Sequence, residues 1–164
     1  MLWAMTNPIR PTDDNARRMA RDLLDGAEHA VLGVLDPATG EPVLSRIALA
    51  CDDTGTPVSL ISSLSAHARA LQAAPAASLL VGDPGPKGDP LTHPRLTVQA
   101  QAQTVLRDDP GFAPLRARYL KIRPKSKLYI DFGDFYFVRF SVTRAFLNGG
   151  FGKAFNLTPG DLGL

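Results

Sequence analysis

One cysteine among 164 residues excludes an internal disulfide. It also argues against a structural zinc site, which draws its ligands from clustered cysteines and histidines. The thiol, Cys51, follows Leu49 and Ala50 and is expected to be a small buried hydrophobe. No Lys or Arg lies within four positions to lower its pKa, so it should be unreactive. Histidine is scarce too. His29, His67 and His93 are scattered, and none shows the i, i+4 spacing with a carboxylate that marks a metal helix. No apolar run is long enough to span a membrane, and Met1 to Asp14 lacks the apolar core of a secretion signal. A cytoplasmic location is the expectation. Neither sign of charge is in excess: the formal net charge is +2, too small to argue for nucleic acid by itself. No G-x-G-x-x-G follows a strand, and no G-x-S-x-G, Cys–His or paired-carboxylate arrangement stands out. No residue is singled out as a general acid, base or nucleophile.

What the chain does carry is β-strand patterning with turn punctuation. Residues 1–11 read as an N-terminal arm and 12–164 as one domain. A helix is expected from about Thr12, with Ala16, Met19, Ala20, Leu23 and Leu24 on one face and a stop at Gly26. Strands follow at His29–Leu35, Val43–Cys51 and Val58–Ile61, separated by the turn segments Asp36–Gly40 and Asp52–Gly55. A short helix ends before Pro75, and Ala76–Gly82 is a fourth strand. The stretch 83–94 is a Pro- and Gly-rich loop. Arg95–Leu106 alternates cleanly, with Leu96, Val98, Ala100, Ala102 and Leu106 on one face. A helix after Asp109-Pro110 carries Phe112, Leu115 and Tyr119 on one side. A last strand, Phe135–Leu147, has more large apolar groups than one core face needs, which predicts a second copy against its flank. Gly149–Gly152 reads as a flexible or tightly turned end. Six strands with short helices and no βαβ alternation predict a mainly β fold, an antiparallel barrel.

The most informative run is Ser62-Ser63-Leu64-Ser65-Ala66-His67-Ala68-Arg69, between the third strand and the short helix. Free N–H groups at a helix start and the helix dipole favour an anion there. Ser62, Ser63 and Ser65 add hydroxyls, and Arg69 a forked donor. The same residues also describe a Ser-rich turn with a capped helix. Arg46, mid-strand beside Ala48 and Ala50, is read either as an Arg aimed at a phosphate or as one whose stem packs while its head reaches solvent. The basic run Arg116, Arg118, Lys121, Arg123, Lys125 and Lys127 lacks interleaved base-stacking aromatics, so a solvated face is preferred to a polyanion site.

Taken in order, these pieces resemble the pyridoxamine 5'-phosphate oxidase-like FMN-binding split barrels, closest to their haem-utilisation (HugZ-type) branch. They are Ser45-Arg46-Ile47-Ala48, Leu60-Ile61-Ser62-Ser63-Leu64-Ser65-Ala66-His67, Ala76–Val81, Gly88–Thr92, Pro94-Arg95-Leu96-Thr97, Arg118-Tyr119-Leu120 and Gly149-Gly150-Phe151-Gly152. The resemblance implies a six-stranded antiparallel split β-barrel and a homodimer with FMN at the subunit interface. Arg46, Ser62, Ser63 and His67 match positions that meet the flavin phosphate, with Arg69 as a further contact. Arg95 matches one that approaches the ring from the partner. The implied activity is that of an FMN-dependent oxidoreductase of unknown small-molecule substrate. Alternatives are a haem-binding or haem-degrading protein using the same cleft, with Arg95, Arg144 or the basic run on the propionates, and a non-catalytic split-barrel dimer. Ala68 and Arg69 depart from the Thr and Asn of the branch. No His follows His93, so the C-terminal iron ligand of some branch members has no counterpart.

Overall fold

The computed structural model describes residues 7–164; the first six residues of the expected arm lie outside them. Strand β1 (Ile9–Arg10) precedes helix α1 (Asp14–Gly26). Asp13 caps this helix, its carboxylate accepting from the Ala16 N–H at 2.7 Å. Ala16, Ala20 and Leu24 fall one turn apart and are buried. Strands β2 (His29–Leu35), β3 (Pro42–Ala48), β4 (Ala50–Cys51) and β5 (Pro57–Ser62) follow. Helix α2 (Ala66–Ala73) leads into β6 (Ala76–Val81) and β7 (Arg95–Val105). Helix α3 (Phe112–Ile122) and a short 3-10 turn (Pro124–Leu128) precede β8 (Phe135–Asn148) and β9 (Ala154–Leu157).

The strands form one open sheet in the order β1-β9-β8-β7-β6-β2-β3, with β5 joined to β8 and β4 to β5. The six long strands are the six expected, and their pairings are all antiparallel. The fold is a split barrel: β8 is long enough to pair with β7, β5 and β9 in turn, and the sheet curls until β3 lies beside β5. Thr143 is an extra residue in β8, because Gln99 faces Arg144 and Ala100 faces Val142. A bulge of this kind adds twist and bends the strand.

Two cores result. The first fills the barrel with Leu32, Leu79, Leu96, Val98, Phe140 and Leu147, closed by α1 and α2. The second lies between the sheet and α3 and holds Val58, Leu60, Val105, Phe112, Tyr119 and Phe137. Strand β5 is therefore buried on both faces from Pro57 to Ile61.

The second core corrects several expectations. Val43–Cys51 is not one strand; it breaks at Leu49, whose N–H bonds the Glu28 carbonyl at 3.0 Å, and Ala50 turns into the second core. Leu106 is 51% exposed, because β7 has left the barrel by then and Val105 packs under α3 from the other face. The aromatic excess of β8 does not leave a flank for a partner. Phe137 packs on Phe112 and Tyr119 at centroid distances of 5.3 and 5.2 Å. Gly149–Gly152 is a tight turn, not an end. Gly150 and Gly152 adopt positive φ, and the turn returns the chain as β9. β1 in turn pairs parallel with β9, tying residues of the expected arm into the sheet.

The basic run divides: Lys121, Lys125 and Lys127 are exposed, as a solvated face requires, whereas its arginines bond within the protein. Arg123 donates to the carbonyls of Leu49 and Ala27, both at 2.9 Å, which fixes the break before β4. Arg118 donates to the Cys51 carbonyl, and Arg116 is forked onto Asp131. Cys51 is half-buried rather than buried. Burial pushes its thiol pKa up, although Arg21 from α1 approaches Sγ to 3.2 Å and pulls the other way. Helical proximity thus supplies the cation that its own strand lacks, and burial still wins.

Candidate functional site

The barrel is open along one seam, between the free edge of β3 and β5. Five successive antiparallel pairings separate these strands in the sheet, so they run antiparallel to each other as well. No ladder joins them. The Ser59 hydroxyl crosses the gap instead and donates to the Ala48 carbonyl at 2.6 Å. Farther along the seam, Ser45 Oγ meets His67 Nδ1 at 3.2 Å. His67 sits in the first turn of α2, so the strand-to-helix run lies against β3.

The start of α2 is ordered by its own serines. Ser65 caps the helix, accepting from the Ala68 N–H at 3.2 Å and donating to the Ser62 carbonyl at 2.7 Å. The Ser62 hydroxyl donates to the Asp134 carboxylate and accepts from the Leu64 N–H. The Ser63 N–H bonds the Asp134 carbonyl at 2.8 Å. Arg69 turns back onto the Leu64 carbonyl at 3.0 Å. The expected hydroxyl cradle is thus partly self-satisfied. Ser62 has its single proton on a carboxylate, whereas no side-chain bond to Ser63 occurs among the described residues.

Arg46 is exposed and enters none of the ion pairs among the described residues. Its neighbours in the strand alternate. Ile47 points into the barrel, while Leu44 and Arg46 point outward, with Leu44 70% exposed. Its head is free among the described residues and lies on the outer face of the sheet with the exposed Leu44 and Leu80. Arg46 faces Val31 across the ladder, Val31 faces Leu80, and Leu80 faces Thr97. A groove of about 470 Å³ runs over the same face beside Gly33, Leu35, Leu44, Ser78 and Gln99.

Arg95 is not brought to this seam by its own chain. Ala76, the first residue of β6 after α2, pairs with Gln101, whereas Arg95 lies at the far end of β7, donating to the carbonyls of Leu91 and His93. Arg144 stacks on Phe146 at 4.9 Å and donates to Gln99 Oε1.

The three histidines differ in what they leave free. His93 has both ring nitrogens on the 83–94 loop, at the Gly85 N–H and the Lys87 carbonyl. His29 Nε2 is 2.8 Å from the Asp83 carboxylate. His67 uses Nδ1 on Ser45 and leaves Nε2 free among the described residues. Burial lowers its pKa, so the neutral imidazole is favoured. The seam therefore offers a neutral imidazole and Leu64, 73% exposed, with the guanidinium of Arg46 and the exposed Leu44 on the outer face of β3 beside it. Such a set suits a flat, apolar, anionic-rimmed molecule. Ser45, Leu44 and Asp134 escape a reading of the sequence, because only the curl of the sheet brings β3 to α2. The one available signal is the residue next to a candidate: Ser45 directly precedes Arg46.

Comparison with known proteins places this arrangement. Over 137 residues the chain is 31% identical to the "Non-canonical heme oxygenase HOZ, chloroplastic" of Arabidopsis thaliana. That match covers 80% of this chain and 41% of the relative, so the chain spans about two fifths of that protein's length. A heme binding protein from Mycobacterium smegmatis superposes with a TM-score of 0.80 at 28% identity, over 94% of this chain and 61% of that one. A Clostridium acetobutylicum protein of the pyridoxinephosphate oxidase family superposes with a TM-score of 0.66 over 92% of this chain and 99% of that one. At 11% identity this last likeness bears on the fold alone. The expected split-barrel class and its haem-utilisation relatives are thereby met. A family model described as "CREG, beta-barrel" matches residues 11–161, and the chain belongs to that family.

Proposed function

We propose that this protein binds haem at the β3–β5 seam, with a second copy of the chain covering the outer sheet face. The observation that carries this reading is the open edge of β3, where the neutral His67 meets Ser45 and the exposed Leu44 and Arg46 flank it on the outer face. Haem is a flat apolar ring with two carboxylates on one edge. Leu44 and Leu64 would lie against the ring, and Arg46 would take a propionate as a charge-assisted pair. The relatives named for haem support the reading. Bound haem would supply the redox and oxygen chemistry, and this chain the orientation and the apolar enclosure. Turnover of haem is the extension of this reading to an enzyme.

The homodimer rests on the outer sheet face. Leu44 and Leu80 are exposed there, 70% and 42%, on a sheet face that none of the described residues covers. Apolar sheet faces of this size in soluble proteins are normally covered by another layer.

FMN is the second reading, favoured by the Ser65-capped start of α2 and the free Ser63 hydroxyl next to it. Under it the protein is a flavin oxidoreductase. The Asp134 carboxylate, bonded to Ser62, weighs against a phosphate at that spot. Titration of the apoprotein with hemin and, separately, with FMN tests both. A saturable Soret shift at micromolar hemin without FMN binding supports the haem reading. Tight FMN binding with only nonspecific hemin uptake replaces it with the flavin reading, and neither signal favours a non-catalytic dimer.

A further inference from the structure

We propose that His67 Nε2 is the axial ligand of the haem iron, and that Ser45 sets the tautomer that makes it one. This rests on the haem reading above. The argument begins from chemistry at the two ring nitrogens. A histidine ligates iron through the lone pair of a neutral imidazole, and the other nitrogen must then carry the proton. Ligating histidines nearly always donate that N–H to an outer partner, which fixes both the tautomer and the ring plane.

His67 meets each requirement. Ser45 Oγ lies 3.2 Å from Nδ1 and can accept its proton, leaving the Nε2 lone pair. Nε2 has no partner among the described residues. The ring is anchored from two elements, its backbone by the capped first turn of α2 and its Nδ1 by β3. Leu64, 73% exposed, stands just before the Ser65 cap of the same helix. Arg46, next to Ser45 in the strand, points to the opposite, outer face, so it would reach the carboxylate edge only of a ring lying across the free edge of β3.

The rival histidines fail on the same criteria. His93 would have to give up the Gly85 N–H or the Lys87 carbonyl. His29 would present an Nε2 already facing the Asp83 carboxylate. Cys51, the remaining soft donor, is half-buried against Arg21 with a raised thiol pKa, which disfavours the thiolate a metal needs.

The test uses the full-length protein loaded with hemin, examined by EPR in the ferric state and, after anaerobic reduction, by resonance Raman in the ferrous state. Wild type is expected to show an iron–histidine stretch in the five-coordinate ferrous state. His67→Ala should lose that band and bind hemin about tenfold more weakly or worse, and added imidazole should restore a nitrogen-ligated spectrum. His29→Ala and His93→Ala should leave the band in place. Ser45→Ala should keep the band but shift its frequency, since the Nδ1 acceptor is gone, and weaken binding by about tenfold, in the range typical of lost outer-shell partners. If His67→Ala binds hemin with an unchanged iron–histidine band, the ligand assignment is wrong while the haem reading stands. If wild type shows no specific hemin binding, both fall together. Circular dichroism and melting of His67→Ala and of His67→Gln separate loss of the ligand from loss of the fold.

Discussion

At the residue scale, two buried polar groups show opposite sides of the same rule. Asp52 is 4% exposed. Burial works against its charge, but bonds from the Thr54 hydroxyl, Arg139 and the N–H groups of Thr56 and Thr54 outweigh it and hold its pKa below the ordinary carboxylate value. A folded-state pKa below the unfolded one stabilises the fold above the unfolded value, about 3.9, and that contribution is lost as pH falls through the folded value. Asp52→Asn should therefore lower stability near neutral pH by roughly 1.5–3 kcal/mol. It should also flatten the acid limb of a pH–melting curve; an unchanged limb would place the acid sensitivity elsewhere. Tyr119 is the converse case. Its hydroxyl is buried, approaches the Leu60 backbone without hydrogen-bond geometry, and has its pKa pushed up to about 12, chiefly by burial. An unsatisfied buried hydroxyl costs about 1–3 kcal/mol, so Tyr119→Phe should melt at the same or a higher temperature. At the seam, Arg46→Ala should leave the melting temperature within a degree or two, because the head is free and surface changes rarely exceed about 0.5 kcal/mol. Hemin affinity should drop by about one order of magnitude, since one charge-assisted bond contributes roughly 1.5–3 kcal/mol. A measured affinity equal to wild type would remove Arg46 from the site.

At the scale of elements, the sequence revealed most strands to within a residue or two, because period-2 alternation and turn residues bracket them. His29–Leu35 and the start of the strand at Phe135 are read directly. What escaped detection depends on contacts distant in sequence. The break at Leu49 is enforced by Glu28 and Arg123, and the strands Ile9–Arg10 and Ala154–Leu157 are too short to show a period and exist through pairing, the second with β8 and the first with the second. The same holds for the site. His67, Arg46 and Ser63 are legible as residue types, but the Ser45–His67 contact and the Asp134 carboxylate on Ser62 follow from how the sheet curls. Arg123 is the clearest test of long-range control. Arg123→Ala strands the carbonyls of Leu49 and Ala27, which lie far apart in sequence, and should destabilise the fold by about 2 kcal/mol. Its hydrogen-exchange signature should appear around Ala27 and Leu49 rather than along α3.

At the scale of the whole molecule, the open face predicts assembly. Leu44→Asp puts a charge on the outer face, at its β3 edge, without touching either core. It should turn a dimer into a folded monomer in sedimentation velocity at micromolar concentration, and a variant that stays dimeric would move the interface to another face. The seam between β3 and β5 has a mechanical meaning as well. Every other join between the long strands is a ladder of backbone bonds, whereas this one is fastened by a single serine and a histidine contact, like a coat held by two buttons. A wall fastened in this way is a door. Of the joins between the long strands this seam is the one that could open without breaking a row of backbone bonds, so under the haem reading a rigid disc would enter there.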